Sequence, residues 1–139
     1  MDPIQYLPLP PLQCPLLDKF YREQRSPMRA PKHAALWVAR APEIIAGLCL
    51  SSIEDGFWLT GLLVARAHRR AGIASTLLTR VQESVDGDLW LFYHPNLEGF
   101  YARRGFASCT HLPAPLADRY QRYSRHKQLV ALVRPPTSR

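Results

Sequence analysis

The densest run of chemically capable residues is Val64-Ala65-Arg66-Ala67-His68-Arg69-Arg70-Ala71-Gly72-Ile73-Ala74. It sits where an apolar run gives way to a helical period. The first turn of a helix carries N–H groups without intrahelical partners and a partial positive charge. Small residues at Ala71, Gly72 and Ala74 let an anion come close to that backbone, and Arg66, Arg69 and Arg70 set cations beside it. The chemistry suited to this combination is binding of a diphosphate. The segment is neither a Walker A loop nor a Gly-x-Gly-x-x-Gly turn. Read without that chemistry, it is a basic, solvated turn whose glycine starts a helix.

The surrounding elements follow from apolar periodicity. Phe57 to Val64 is apolar at nearly every position, as expected of a strand buried on both faces at the centre of a sheet. Gly61 within it marks a bulge or a close approach. Ile73, Leu77, Leu78, Val81 and Val85 fall on one face of a helix. Leu89 to Tyr93 is a second apolar strand, the parallel partner of 57–64 across a helical crossover. Upstream, Ala35–Ala39 and Ile44–Ser51 flank Ala41-Pro42 as a hairpin. A short helix over Leu16–Gln24 precedes them, after a proline-rich arm that reads as an edge strand. Downstream, Leu97, Phe100, Tyr101 and Arg104 recur at helical spacing up to Gly105, and a last strand covers Gln128 to Val133. The sum is an α/β chain: antiparallel strands, one β-α-β unit, a short helix and a final strand or two.

Composition agrees. A chain of 139 residues and 15.8 kDa can bury roughly 68–70% of its unfolded surface. It is 47% apolar and 21% charged, which excludes a disordered tail, a disulfide-stapled miniprotein and a multidomain machine. Cys14, Cys49 and Cys109 show no metal or disulfide spacing, so a reduced, cytoplasmic setting is expected. Met1-Asp2-Pro3 has no basic n-region, and no apolar run is long enough for a membrane span. His33, His68, His111 and His126 have no partners at ligand spacing, and no metal is assigned. The net charge of +7 invites a nucleic-acid reading.

Two constellations together resemble the GCN5-related N-acetyltransferases (GNAT). That family carries Arg/Gln-x-x-Gly-x-Gly/Ala after a buried strand, matched by Arg69-Arg70-Ala71-Gly72-Ile73-Ala74 after Val64. It then has an Asn, a Phe-Tyr pair and a Gly-Phe, matched by Asn96, Phe100-Tyr101 and Gly105-Phe106. The likeness is close over residues 34–108 and loose over 1–33. It implies a single domain over 1–139, with an N-terminal arm, helix and loop (1–33), an acetyl-CoA-binding core (34–108) and a C-terminal loop, helix and strand (109–139). The implied fold is a mixed central sheet of six to seven strands with a splayed parallel pair and flanking helices.

The resemblance also implies roles. The pyrophosphate of acetyl-CoA would lie on Arg69, Arg70, Ala71, Gly72, Ile73 and Ala74, with Ser75 next. The pantetheine arm would run along Leu62, Leu63 and Val64 and meet Asn96, an approach that suits Gly61. Tyr101 would be the general acid for the departing thiolate; packed with Leu97, it would instead be a core residue. Strand 57–64 holds no acid, so the base falls to His94 or to a water chain, with Glu54 and Asp55 in the preceding turn. Tyr6, Tyr21, Trp37 and Trp58 line the acceptor slot or, more simply, the core. The expected activity is acetyl transfer to an amine, a small-molecule amine ahead of a protein amine, by a monomer or homodimer. A non-catalytic CoA-binding module and a basic nucleic-acid-binding domain are the alternatives. Arg103 and Arg104 would join the loop arginines in facing coenzyme A phosphates, which lowers the nucleic-acid reading. The basic stretch 119–127 would be a solvated helix face.

Overall fold

The computed structural model describes residues 3–136. The reading of Met1-Asp2-Pro3 therefore lies largely outside the described residues, as do the last three positions of the 109–139 segment. Seven strands form one mixed sheet in the order β1-β2-β3-β4-β5-β7-β6. Four helices accompany it, giving the expected α/β fold.

β1 (Gln5–Leu9) lies at one edge, antiparallel to β2 (Ala35–Arg40), with Gln5 opposite Arg40 and Leu9 opposite Leu36. The edge is where Pro8 is tolerated, because a proline has no N–H to give a second neighbour. β2 pairs antiparallel with β3 (Ile44–Ile53), and the register shifts between Ala39 and Arg40 beside the Ala41-Pro42 turn. β4 (Gly56–Val64) is central, as its nearly continuous apolar sequence predicts. It runs parallel to β5 (Leu89–Tyr93), with Phe57 opposite Leu89 and Trp58 opposite Trp90. β7 (Val130–Arg134) is antiparallel to β5, and β6 (Ala107–Ser108) closes the far edge against β7.

The chain divides into two compact units, Met1–Ser51 with Leu59–Val85, and Ser52–Trp58 with Asp86–Arg139. In the first, α1 (Cys14–Glu23) seats Leu17 on Gly47, where an added Cβ would stand 2.6 Å from the Leu17 methyl. The absent side chain is what lets the helix approach the strand. α2 (Ile73–Ser84) buries Ile73, Leu77, Leu78 and Val81. Each such side chain contributes about 1.5–3 kcal/mol by leaving water. Val85, expected on that face, lies past the helix end in extended backbone.

In the second unit Trp58, Trp90 and Leu116 form the core, with Phe92, Leu112 and Val133 packed on it. Leu116 belongs to α4 (Ala114–Ser124), so the basic stretch begins as a helix and its remainder leads to β7, which starts at Val130 rather than Gln128. The predicted helix over 97–104 is shorter: a 3-10 turn at Pro95–Leu97 precedes α3 (Glu98–Ala102). Gly105 ends it at φ +89°, the left-handed conformation glycine adopts without a side-chain clash.

Candidate active site

Leu62, Leu63 and Val64 form the end of β4; Leu62 is buried and the other two half-buried. Past them the Ala65 N–H donates to the Ile45 carbonyl at 2.7 Å, and the chain then leaves the sheet in a 3-10 turn, Arg66–His68. Gln24 of the α1 end accepts from the Arg66 N–H at 3.0 Å, and Arg69 Nε donates back to the Val64 carbonyl at 3.2 Å. The loop is thus tied at both ends while Arg66, Arg69, Arg70, Ala71 and Gly72 remain exposed.

Two residues of this loop turn left-handed: Arg70 at φ +66° and Gly72 at φ +75°. Gly72 is also the N-cap of α2, and no side chain caps that helix. The first intrahelical bond is Thr76 N–H to the Gly72 carbonyl at 3.0 Å, so the amides of Ile73, Ala74 and Ser75 precede the helical ladder. No heavy atom lies within 4 Å of where a Gly72 Cβ would stand. The start of α2 thus has three exposed arginines close by in the chain and open space at the Gly72 Cβ position. The residues present fit a diphosphate.

Gly61, read from the sequence as a bulge or a close approach, is approached closely by Tyr21. Its hydroxyl donates to the Gly61 carbonyl at 2.7 Å, and a Gly61 Cβ would stand 2.5 Å from that oxygen. Gly61 has φ +69°, so both the turn of the chain and the close approach require glycine. Tyr21 is fully buried and lies 3.6 Å from Cys49 Sγ. Burial pushes the Tyr21 hydroxyl far above its ordinary range and the Cys49 thiol up to about 11. Tyr21 and Trp58 are therefore core residues. Tyr6 and Trp37 are half-buried, with Arg80 over the Tyr6 ring.

Asn96 and Tyr101 belong to the second unit. Asn96 is exposed, its Oδ1 2.8 Å from His94 Nδ1, and its own N–H reaches the same nitrogen at 3.2 Å. The imidazole thus donates to the Asn96 amide when Nδ1 carries a proton and accepts from the backbone when it does not. Glu54 and Asp55 are exposed in the β3–β4 turn. Arg104 lies over the Phe100 ring at 3.8 Å and donates to the Phe100 carbonyl, while Arg103 is exposed.

Tyr101 is 1% exposed. It packs on the rings of Tyr93, Phe100 and Phe106; Leu97 is 37% exposed. Burial pushes its hydroxyl well above the ordinary 10.0; Tyr93 adds to the rise and Arg104 offsets part of it. At neutral pH Tyr101 is a neutral O–H donor. Tyr93, which carries no role in the sequence analysis, packs its ring on that of Tyr101, with centroids 5.0 Å apart. Its only sequence signal is a hydroxyl on the last residue of an otherwise apolar strand. Among the described residues no cluster of His, Cys, Asp or Glu could hold a metal, and no helix is long and apolar enough to cross a membrane.

Comparison with known proteins adds a family. Residues 16–113 match a model described as the acetyltransferase (GNAT) domain. Among solved structures, the chain is similar to the ribosomal-protein-S18-alanine N-acetyltransferase of Escherichia coli, at TM-score 0.74 and 12% identity, covering 99% of this chain and 96% of that one. It is similar to a putative N-acetyltransferase of Lactobacillus plantarum, at TM-score 0.72 and 14% identity, covering 98% and 100%. It also matches N-acetylglutamate synthase of Neisseria gonorrhoeae, solved with coenzyme A and N-acetyl-glutamate, at TM-score 0.69 and 16% identity; 99% of this chain aligns with 36% of that one. The chain thus spans about a third of that enzyme. At these identities the likeness is one of fold. No curated protein matches.

Proposed function

This chain belongs to the GNAT family of acetyltransferases, and from that premise we propose that it moves an acetyl group from acetyl-CoA to an amine, with Tyr101 as general acid. The observation that carries the proposal is the uncapped start of α2 behind the left-handed Gly72, with Arg66, Arg69 and Arg70 around it. When bound, acetyl-CoA would supply the thioester carbonyl, and coenzyme A would be the leaving group, as its thiolate. The amides from Arg69 to Ala74, with Ser75, hold its diphosphate. Leu62, Leu63 and Val64 offer backbone groups to its pantetheine arm, one N–H of which can face the oxygen on which charge develops. Asn96 is assigned to the same arm. Tyr101 gives a proton to the departing sulfur, and the amine's own proton goes to His94 or to solvent.

A small-molecule amine is favoured as acceptor, because nothing in the sequence resembles a dedicated peptide groove. The free thiols Cys14, Cys49 and Cys109 support a cytoplasmic setting. We take 1–139 as one acetyltransferase domain. A second reading, a CoA-binding module without catalysis, rests on β4 having no acidic residue. Tyr101→Phe separates the two. In the catalytic reading it lowers thiol release about 10–1,000-fold while acetyl-CoA binding survives. Turnover unchanged by that substitution would remove Tyr101 from the mechanism, and its absence in both proteins would favour the second reading.

A further inference from the structure

We propose that Trp58 and Arg119 form an anion subsite that selects, as acceptor, an amine carrying a carboxylate on an apolar body. The inference rests on the acetyl-transfer reading and names the acceptor class which that reading leaves open. Trp58 keeps its ring in the core, at 8% exposure, yet its Nε1–H is buried with no hydrogen-bond partner. Among the described residues no other buried side-chain nitrogen or oxygen is left so. A donor cut off from water without a partner is costly, and a trapped water or a ligand must satisfy it. Arg119 of α4 points to a ligand. Its guanidinium lies over the same indole, 4.5 Å from the ring centroid. It is half-buried, and among the described residues no carboxylate pairs with it. Asp118 precedes it in α4, but adjacent helical residues do not face each other. A guanidinium held over a ring keeps its fork of N–H donors for an acceptor.

One cation and one neutral donor on a single indole suit a monoanion, and the surroundings suit an apolar body. Phe92 packs on Trp58 at 5.7 Å, and Tyr120 and Tyr123 of α4 pack on Phe92 at 5.3 and 6.4 Å. Tyr123 is 44% exposed, so this group of rings reaches solvent. The indole N–H itself is covered, and Arg119 is the long, movable side chain over its ring. A carboxylate draws the guanidinium off the ring face; one oxygen takes the fork and the other the indole N–H. The exchange trades a cation–π contact for charge-assisted hydrogen bonds, which are the stronger. Phe92 and Tyr93 are successive residues of β5, so their side chains stand on opposite faces of the sheet. Phe92 packs on Trp58 and Tyr93 on Tyr101. Acceptor and general acid therefore come from opposite faces of β5, and the amine does not compete with Tyr101 for room.

The test reads the indole N–H signal of Trp58 by NMR in isotope-labelled protein. Trp58→Phe identifies it among the signals of Trp37, Trp58 and Trp90. If that variant does not fold, cross-peaks to the Phe92 ring identify it instead. The probes are matched pairs: phenylalanine against phenethylamine, and para-aminomethylbenzoate against benzylamine. Phenylpropanoate serves as a carboxylate without an amine. The subsite predicts a saturable shift of the Trp58 signal with at least one carboxylate of each kind, with and without an amine, and none with the plain amines. Arg119→Gln should weaken that response about 10–100-fold. In thiol-release kinetics the carboxylate member of at least one pair should have a KM lower by about tenfold or more, and Arg119→Gln should erase that preference. A signal that no carboxylate moves, as a permanently trapped water would leave it, overturns the subsite. An equal response to the plain amines, or one that Arg119→Gln leaves intact, overturns it as well. Thiol release at equal KM within both pairs overturns the acceptor selection. A Trp58 signal that responds while no amine releases thiol leaves the anion subsite standing and overturns acetyl transfer, so the two failures are distinct.

Discussion

Gly72→Ala tests the diphosphate surface with a single methyl. Gly72 holds φ +75°, a conformation that costs an L-residue about 1–2 kcal/mol. The added Cβ meets no heavy atom within 4 Å, so the cost is conformational and not a clash. For a chain of this size a loss of 1 kcal/mol lowers the melting temperature by about 3–4 °C, so the ligand-free variant should melt about 3–8 °C lower. The methyl has a second effect. It projects into the space in front of the first α2 amides, where a diphosphate would approach. Losing one charge-assisted hydrogen bond there costs about 1.5–3 kcal/mol, roughly a 10–100-fold rise in Kd. In a thermal-shift assay at about 100 times the wild-type Kd, acetyl-CoA stabilises the wild type by about 2.7 kcal/mol, or about 8–10 °C. The variant at the same concentration keeps about 0.4–1.4 kcal/mol of that stabilisation and should shift by about 1–6 °C. Arg70→Gly is the counterpart: it relieves the left-handed strain at φ +66° and should raise the ligand-free melting temperature while removing one cation. A Gly72→Ala protein that melts lower yet keeps the full acetyl-CoA shift would refute the reasoning, because the open face before α2 would then not be where the ligand sits.

Three further outcomes follow from the geometry. Arg69→Ala and Arg70→Ala should each weaken acetyl-CoA binding about 3–10-fold at low salt and by less at 0.5 M salt, measured by calorimetric titration, because exposed charges are screened. Tyr21→Phe strips the Gly61 carbonyl of a buried donor and should cost about 1–2 kcal/mol in denaturant unfolding, with acetyl-CoA affinity unchanged. Cys49, with its thiol raised from 9.0 to about 11, stays protonated in the folded chain where the unfolded chain ionises. Its contribution to stability is full below pH 9 and is lost between about pH 9 and 11. Cys49→Ala should flatten that part of the stability–pH curve, and Cys49 should resist alkylation in the native protein at pH 8.

Much of the fold is readable because its central strands are apolar at nearly every position. Phe57–Val64 and Leu89–Tyr93 can only be buried strands, and the helical period between them sets them parallel. The Arg69–Ala74 loop was readable for a backbone reason: the start of α2 needs left-handed backbone and open space, and Gly72 supplies both. What escaped reading depends on long-range contacts. Nothing local says that Tyr21, 40 residues away, fills the space at Gly61. Nothing local says that Tyr93 turns to the ring of Tyr101. Leu116, the buried residue of α4, lies ahead of the basic stretch 119–127 and bears no local mark of its burial, while Gln121–Lys127 are exposed, as a solvated face requires. The 3-10 turn at Pro95–Leu97 shortened α3 because Pro95 starts a tight turn held by the His94 carbonyl and side chain, not a full helix.

The central claim is acetyl transfer from acetyl-CoA to an amine. Its most direct test incubates the protein with isotopically labelled acetyl-CoA and a panel of amines, scored by mass spectrometry for labelled product and by colour for free thiol. The account predicts at least one amine that gains the label in step with thiol release, and about 10–1,000-fold slower labelling with Tyr101→Phe. Acetyl-CoA bound tightly, with every amine unlabelled and no thiol released, would contradict it.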